Sequence, residues 1–187
     1  RGSAPLITTL ISILILGLVL DILIIICIFI ICFGIMLISL FDDAQKNLKV
    51  IFYPLITGFF IASYSIVDGY GARVSESALS FVSWSFLINA AIFPLVLKLR
   101  GENNIFQRVY KKGKKIFFAG IFFSYASYAL VVWAFTKAPI PIVGALRETS
   151  ILFTMLIGYF FLKEKITAIK IFSILMILSG VVALKLI

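Results

Sequence analysis

Long apolar runs separated by short polar breaks dominate the pattern along the chain. A helix needs about 20 apolar residues to cross the hydrocarbon of a bilayer, and seven stretches meet that requirement. The first two are "GSAPLITTLISILILGLVL" and, after Asp21, "ILIIICIFIICFGIMLISL", followed by the polar break "FDDAQKNLK". The third, "VIFYPLITGFFIASYSIVD", ends at Gly69 and Gly71, and the fourth is "ALSFVSWSFLINAAIFPLVLKL". A basic loop over 99–115 leads to the fifth, "IFFAGIFFSYASYALVVWAFT". "KAPIP" then predicts a tight turn, with Pro139 and Pro141 suited to starting a sixth helix that reaches Leu162. "AIKIFSILMILSGVVALKLI" is the seventh.

Composition agrees with lipid as the solvent. Hydrophobic residues make up 63% of 187 and charged ones only 13%, whereas soluble domains are about half apolar and a quarter charged. The net charge of +9 does not point to nucleic acid. Lys98, Arg100, Arg108, Lys111, Lys112, Lys114 and Lys115 cluster between two apolar runs, where a loop that anchors membrane orientation accounts for them. The opening run lacks the basic lead and small-residue cleavage site of a signal peptide. Cys27 and Cys32 lie within an apolar run, as lipid-facing or packing residues rather than a disulfide framework. The chain has no histidine, which removes His-based catalysis and the usual metal clusters. "KKGKK" lacks the glycine and hydroxyl of a phosphate-cradling loop. No enzyme activity and no cofactor are expected.

The chain repeats itself. A shift of 146 positions carries Arg1 onto Arg147, Ser3 onto Thr149, Thr8 onto Thr154, Leu16 onto Leu162 and Gly34 onto Gly180, with eleven identities in forty pairs. Five spans separate the two starts, and an odd number inverts the second copy in the membrane. Residues 51–146 have no upstream counterpart here, and the chain does not open on methionine. About 96 further residues are therefore expected before Arg1, giving about ten spans in the intact protein.

The stretch "ALRETSILFTMLIGYFFLKEKITAIKIFSILMILSGVVAL" resembles the end of an EamA-type domain of the drug/metabolite transporter superfamily. The matching features are a small-residue helix, the turn from Leu162 to Glu164, and an apolar helix with the late Gly180. Residues 1–40 resemble the same end of a first such domain, with Leu18 in place of the turn glutamate. The resemblance implies an all-α integral membrane bundle of inverted five-helix repeats, with seven spans present of an expected ten. Residues 1–40 would be the last two helices of a truncated first repeat, 41–50 a polar linker, and 51–187 a complete second repeat. It also implies secondary transport of a small organic metabolite, amino acid-like or otherwise polar or anionic, by alternating access. The competing reading is a truncated, non-transporting membrane protein or subunit. Expected partners are a small-molecule substrate and the lipid bilayer, with a homodimer left open. The expected location is the plasma membrane, multi-pass, as in a bacterial inner membrane. The positive-inside rule places twelve cations of alternate loops in the cytoplasm and the C-terminus outside. The resemblance implies both ends inside.

Charge within a span costs about 2.5–3.5 kcal/mol at a helix centre, so intramembrane charges mark candidate sites. Arg147 lies six residues past Pro141, about 9 Å along a helix. It is either a cation for a substrate carboxylate or phosphate, or one half of an ion pair with Asp68 or Glu148. Glu148 points about 100° away on a regular helix and needs its own partner. Thr154 and Gly158 continue the Arg147 face, and Arg1 would mirror it across the repeat. Tyr64 and Asp68 share a face one turn apart, with Asp68 either a proton or cation relay or a helix-end residue. Ser80 pairs with Trp84 in the same way, Trp84 being a substrate contact or an interfacial anchor, and Asn89 lies deeper. Tyr125, Tyr128 and Trp133 would line a path or simply pack. Gly58 with Ala62, and Gly120 with Ser124, have the spacing of close helix contacts. Pro94 would kink the fourth span.

Overall fold

A computed structural model describes residues 3–41, 48–101, 113–163 and 167–186. Every element among them is helical: α1 (Ala4–Leu16), α2 (Ile22–Phe41), α3 (Leu48–Val74), α4 (Ala78–Leu99), α5 (Lys114–Lys137), α6 (Ile140–Arg147), α7 (Ser150–Leu162) and α8 (Ala168–Leu186). The stretches Ala78–Leu99, Lys114–Lys137, Ile140–Leu162 and Ala168–Leu186 are long and apolar enough to cross a membrane. Large apolar side chains cover their surfaces, with Phe161 81% and Phe122 67% exposed. Such a surface suits lipid and would drive aggregation in water. This is the multi-span, all-α architecture expected from hydropathy. Arg1, Lys46, Arg108, Lys111, Lys112, Glu164 and Lys165 lie outside the described residues, as does most of the linker expected over 41–50.

Two apolar runs fold differently from a single uninterrupted helix. The first run is helical only over the 13 residues of α1, about 20 Å. It stops where Gly17 enters the left-handed region (φ 60°), and the Gly17 and Leu18 N–H groups both return to the Ser12 carbonyl. The sixth run divides into α6 and α7 at Glu148 and Thr149.

The chain forms two compact units. The first joins Arg1–Asp68 to Ala138–Ile187. Within it α2 packs along α8, and α1 against α6. Ile28, Ile31, Cys32, Ile35, Ala145 and Ile177 make its core. Both cysteines are buried, so they pack rather than face lipid. The repeat is visible in the backbone of this unit. The 146-residue shift carries α1 onto α7 and the first residue of α2 onto that of α8. It carries the left-handed Gly17 onto Lys163, also left-handed at φ 54°. It also carries the bond from Thr8 Oγ1 to the Ala4 carbonyl (2.9 Å) onto that from Thr154 Oγ1 to the Ser150 carbonyl (3.1 Å).

The crossing of α2 and α8 follows the same rule. A Cβ on Gly34 would sit 2.9 Å from Ile177 Cγ1 and 3.1 Å from the Ser173 carbonyl. One on Gly180 would sit 2.7 Å from Ile31 Cγ1 and 3.1 Å from the Cys27 carbonyl. Each glycine thus receives the counterpart of the isoleucine that the other receives, and only hydrogen fits at either. Gly58 likewise admits Ser3, and Ala62 beside it is fully buried.

The second unit, Gly69–Lys137, holds the end of α3 with α4 and α5. Ser77 caps α4 by accepting from the Ser80 N–H. The Phe81 ring fills the space that a side chain at Gly71 would need. Arg73 Nε donates to the Phe135 carbonyl at 3.0 Å, satisfying one of the unpaired acceptors in the last turn of α5. Because Arg73 lies just before the start of α4 and Phe135 near the end of α5, the two helices run antiparallel. Pro94 lies inside α4. Gly120 and Ser124 are exposed, and a Cβ on Gly120 would meet nothing within 4 Å. The close contact expected at this pair is not made.

Candidate functional site

The local fold around Arg147 and Glu148 accommodates both charges. Glu148 (φ −67°, ψ −13°) and Thr149 (φ −60°, ψ −18°) have dihedrals close to those of a 3₁₀ turn. The Glu148 N–H donates to the Ala145 carbonyl (3.2 Å), the Thr149 N–H to Leu146 (3.1 Å) and the Leu152 N–H to Thr149 (3.0 Å). These three-residue bonds tighten the backbone between α6 and α7, and Thr149 Oγ1 adds a 2.7 Å bond to the Leu146 carbonyl. Arg147 therefore ends α6, where a cation faces the negative end of the helix dipole. Glu148 precedes α7, where an anion faces the positive end. The order of the two charges matches the polarity of the break. A 3₁₀ turn rotates about 120° per residue, so they diverge more than on a regular helix.

Arg147 is half-buried, and its partner is the Tyr64 hydroxyl, which accepts from Nη2 at 2.8 Å. The guanidinium carbon lies 5.9 Å from the Tyr64 ring centroid, at the outer limit for attraction to the ring face. The hydrogen bond is thus the orienting contact, and the ring adds little. A guanidinium has five N–H donors, so one bond to a neutral hydroxyl leaves most of its capacity for an anion. Sequence placed Tyr64 with Asp68 on α3, and the structure joins Tyr64 to a residue 83 positions away. Asp68 and Glu148 are both half-buried. Thr154 is exposed and donates to the Ser150 carbonyl, whereas Gly158 one turn on is buried. The two do not present a single open face. Arg1, the expected mirror of Arg147, is outside the described residues.

The remaining candidates belong to the second unit. Trp84 is 67% exposed and borders a shallow groove of about 250 Å³ with Leu79, Ser80, Ser83 and Leu87, all from α4. Ser83 Oγ donates to the Leu79 carbonyl at 2.8 Å and lies 2.7 Å from the Tyr125 hydroxyl. Its single hydrogen is spent on Leu79, so Tyr125 is the donor in that pair. Phe86 packs edge-on against Tyr125, with ring centroids 5.2 Å apart, and against Tyr128 at 5.9 Å. These rings hold α5 against α4. Ser83, which accepts this bond, escaped the sequence reading because it is one of several serines in an apolar run. Only a neighbour on another helix distinguishes it. The break at 148–149 carries no capping signal, since Thr149 makes no side-chain cap bond to α7 and donates back to Leu146 instead.

A model of the EamA-like transporter family matches residues 48–186. Comparison with curated proteins and with solved structures gave no match. The matched segment takes in α3 to α8, including the broken span with Arg147 and Glu148 and the α4–α5 pair. Helices sheathed in exposed apolar side chains, with four stretches among the described residues long enough to span a membrane, agree with that match. This multi-pass membrane protein belongs to the EamA-like transporter family.

Proposed function

We propose that the chain moves a small polar or anionic organic solute across the plasma membrane, the inner membrane in a bacterium, by alternating access and without converting it chemically. The observation that carries this reading is Arg147, half-buried at the break in a membrane-spanning stretch and oriented by the Tyr64 hydroxyl. Interrupted helices with charge at the break are where secondary transporters bind ions and solutes. Arg147 would engage the carboxylate or phosphate of the solute. Glu148, Thr154 and Asp68, which belong to the same compact unit, would supply further polar contacts. A gradient or exchange would drive the cycle.

The test is uptake of amino acids and small organic anions by proteoliposomes holding the full chain. Arg147→Ala and Arg1→Ala should each lower transport of the anionic members of the panel. Unaltered uptake in both variants removes the assignment. Correctly inserted protein that moves no solute at all favours a non-transporting subunit instead.

A further inference from the structure

A basic cluster lies at one end of the α4–α5 pair. Antiparallel packing brings the C-terminal end of α4, with Lys98 and Arg100, to the same level as the N-terminal end of α5, with Lys114 and Lys115. All four side chains are exposed. The opposite end is about 30 Å away, because α4 has 22 residues and α5 has 24. The acidic residue among the described part of this unit is Glu76, and it lies at that opposite end. The residues next to the cations in sequence are apolar and exposed: Leu99 81% and Ile116 80%, with Leu95 one turn before Leu99 on the same face of α4 and Phe117 and Phe118 exposed further along α5. Cations from two helices above a strip of bare hydrocarbon match the two parts of a phospholipid.

We propose that Lys98, Arg100, Lys114 and Lys115 form a binding surface for the headgroups of anionic phospholipids. The lipid phosphate and glycerol would meet the four cations, while its acyl chains lie along Leu95, Leu99 and Ile116. Long lysine and arginine stems can lie on the apolar surface and lift their charge into the headgroup layer. Basic clusters at the end of a membrane helix attract anionic lipid in this way. Free phosphate gains only the solvated cations and none of the apolar strip, so the surface selects lipid over the bare ion.

The experiment uses the full chain in non-ionic detergent, where no membrane orientation exists. Native mass spectrometry then compares adducts of phosphatidylglycerol and phosphatidylcholine with identical acyl chains. The expected result is roughly a tenfold preference for phosphatidylglycerol. It should be lost in the K98Q/R100Q/K114Q/K115Q variant and kept in K137Q, which neutralises a cation at the far end of α5. If the fourfold variant does not fold, K98Q/R100Q and K114Q/K115Q should each reduce the preference. Equal binding of the two lipids, or a preference unchanged by neutralisation, overturns the proposal. So does displacement of phosphatidylglycerol by inorganic phosphate at equal concentration.

Discussion

Adding one methyl group at the α2–α8 crossing perturbs a contact that includes backbone on the facing helix. In Gly34→Ala the new Cβ would lie 2.9 Å from Ile177 Cγ1 and 3.1 Å from the Ser173 carbonyl. Neither neighbour can easily give way. Ile177 is fully buried and β-branched, with a stiff first torsion, and the carbonyl belongs to the α8 backbone. The helices must separate, an overpacking cost of about 1–3 kcal/mol. Alanine also has a better helix propensity than glycine by about 1 kcal/mol, which partly offsets that cost. Gly120→Ala in α5 isolates the packing contribution, because it gains the same propensity while its Cβ meets nothing within 4 Å. Unfolding of the purified proteins in mixed micelles, followed by far-UV circular dichroism, should place Gly34→Ala about 1–3 kcal/mol below Gly120→Ala. Gly180→Ala should fall as far, since it meets Ile31 Cγ1 at 2.7 Å and the Cys27 carbonyl at 3.1 Å. The Gly34→Ala, Gly180→Ala double variant should cost less than the two singles combined, because helices already pushed apart accept the second methyl more easily. Equal stability of Gly34→Ala and Gly120→Ala would refute the close crossing.

Other substitutions test individual contacts. Tyr64→Phe removes the acceptor for Arg147 Nη2, and in proteoliposomes it should weaken uptake of an anionic solute about fivefold, equivalent to about 1 kcal/mol for a partly exposed bond to a charged group. Ser83→Ala should destabilise by about 1 kcal/mol or more, since it strands the half-buried Tyr125 hydroxyl. Tyr125→Phe should cost less, because Ser83 keeps its bond to Leu79; thermal unfolding of both variants and their double checks the order. Ser12 Oγ and Ser173 Oγ are buried without a hydrogen-bond partner among the described residues, so Ser12→Ala and Ser173→Ala should leave stability equal or raise it by up to about 1 kcal/mol in the same assay. A clear loss would mean that a partner holds these hydroxyls.

Hydropathy carried most of the architecture. The third, fourth, fifth and seventh runs lie within or nearly coincide with α3, α4, α5 and α8, and "KAPIP" is the turn before α6. The 146-residue shift, read from eleven identities, reappears as matching helix starts and matching left-handed caps in α1 and α7. The break at Glu148 was less legible. Apolar residues continue on both sides of it, and hydropathy averages over a window wider than the two residues that change the backbone. At Tyr64 the i, i+4 rule found a neighbour on the same helix, and no rule of local spacing reaches Arg147.

The sequence alone determined the solvent, the approximate spans, the internal duplication and the family, because each is written in residue type and order along one dimension. Tertiary structure decided which polar groups meet and which small residues are indispensable. Gly34, Gly120 and Gly180 all sit within apolar runs, yet two of them admit a neighbouring helix and the third faces open space. Arg147 found Tyr64 rather than its neighbour in sequence, because a break in the span turned the two charges apart and α3 came alongside. Contacts of that kind arise from distances between separate helices, which a one-dimensional pattern does not encode.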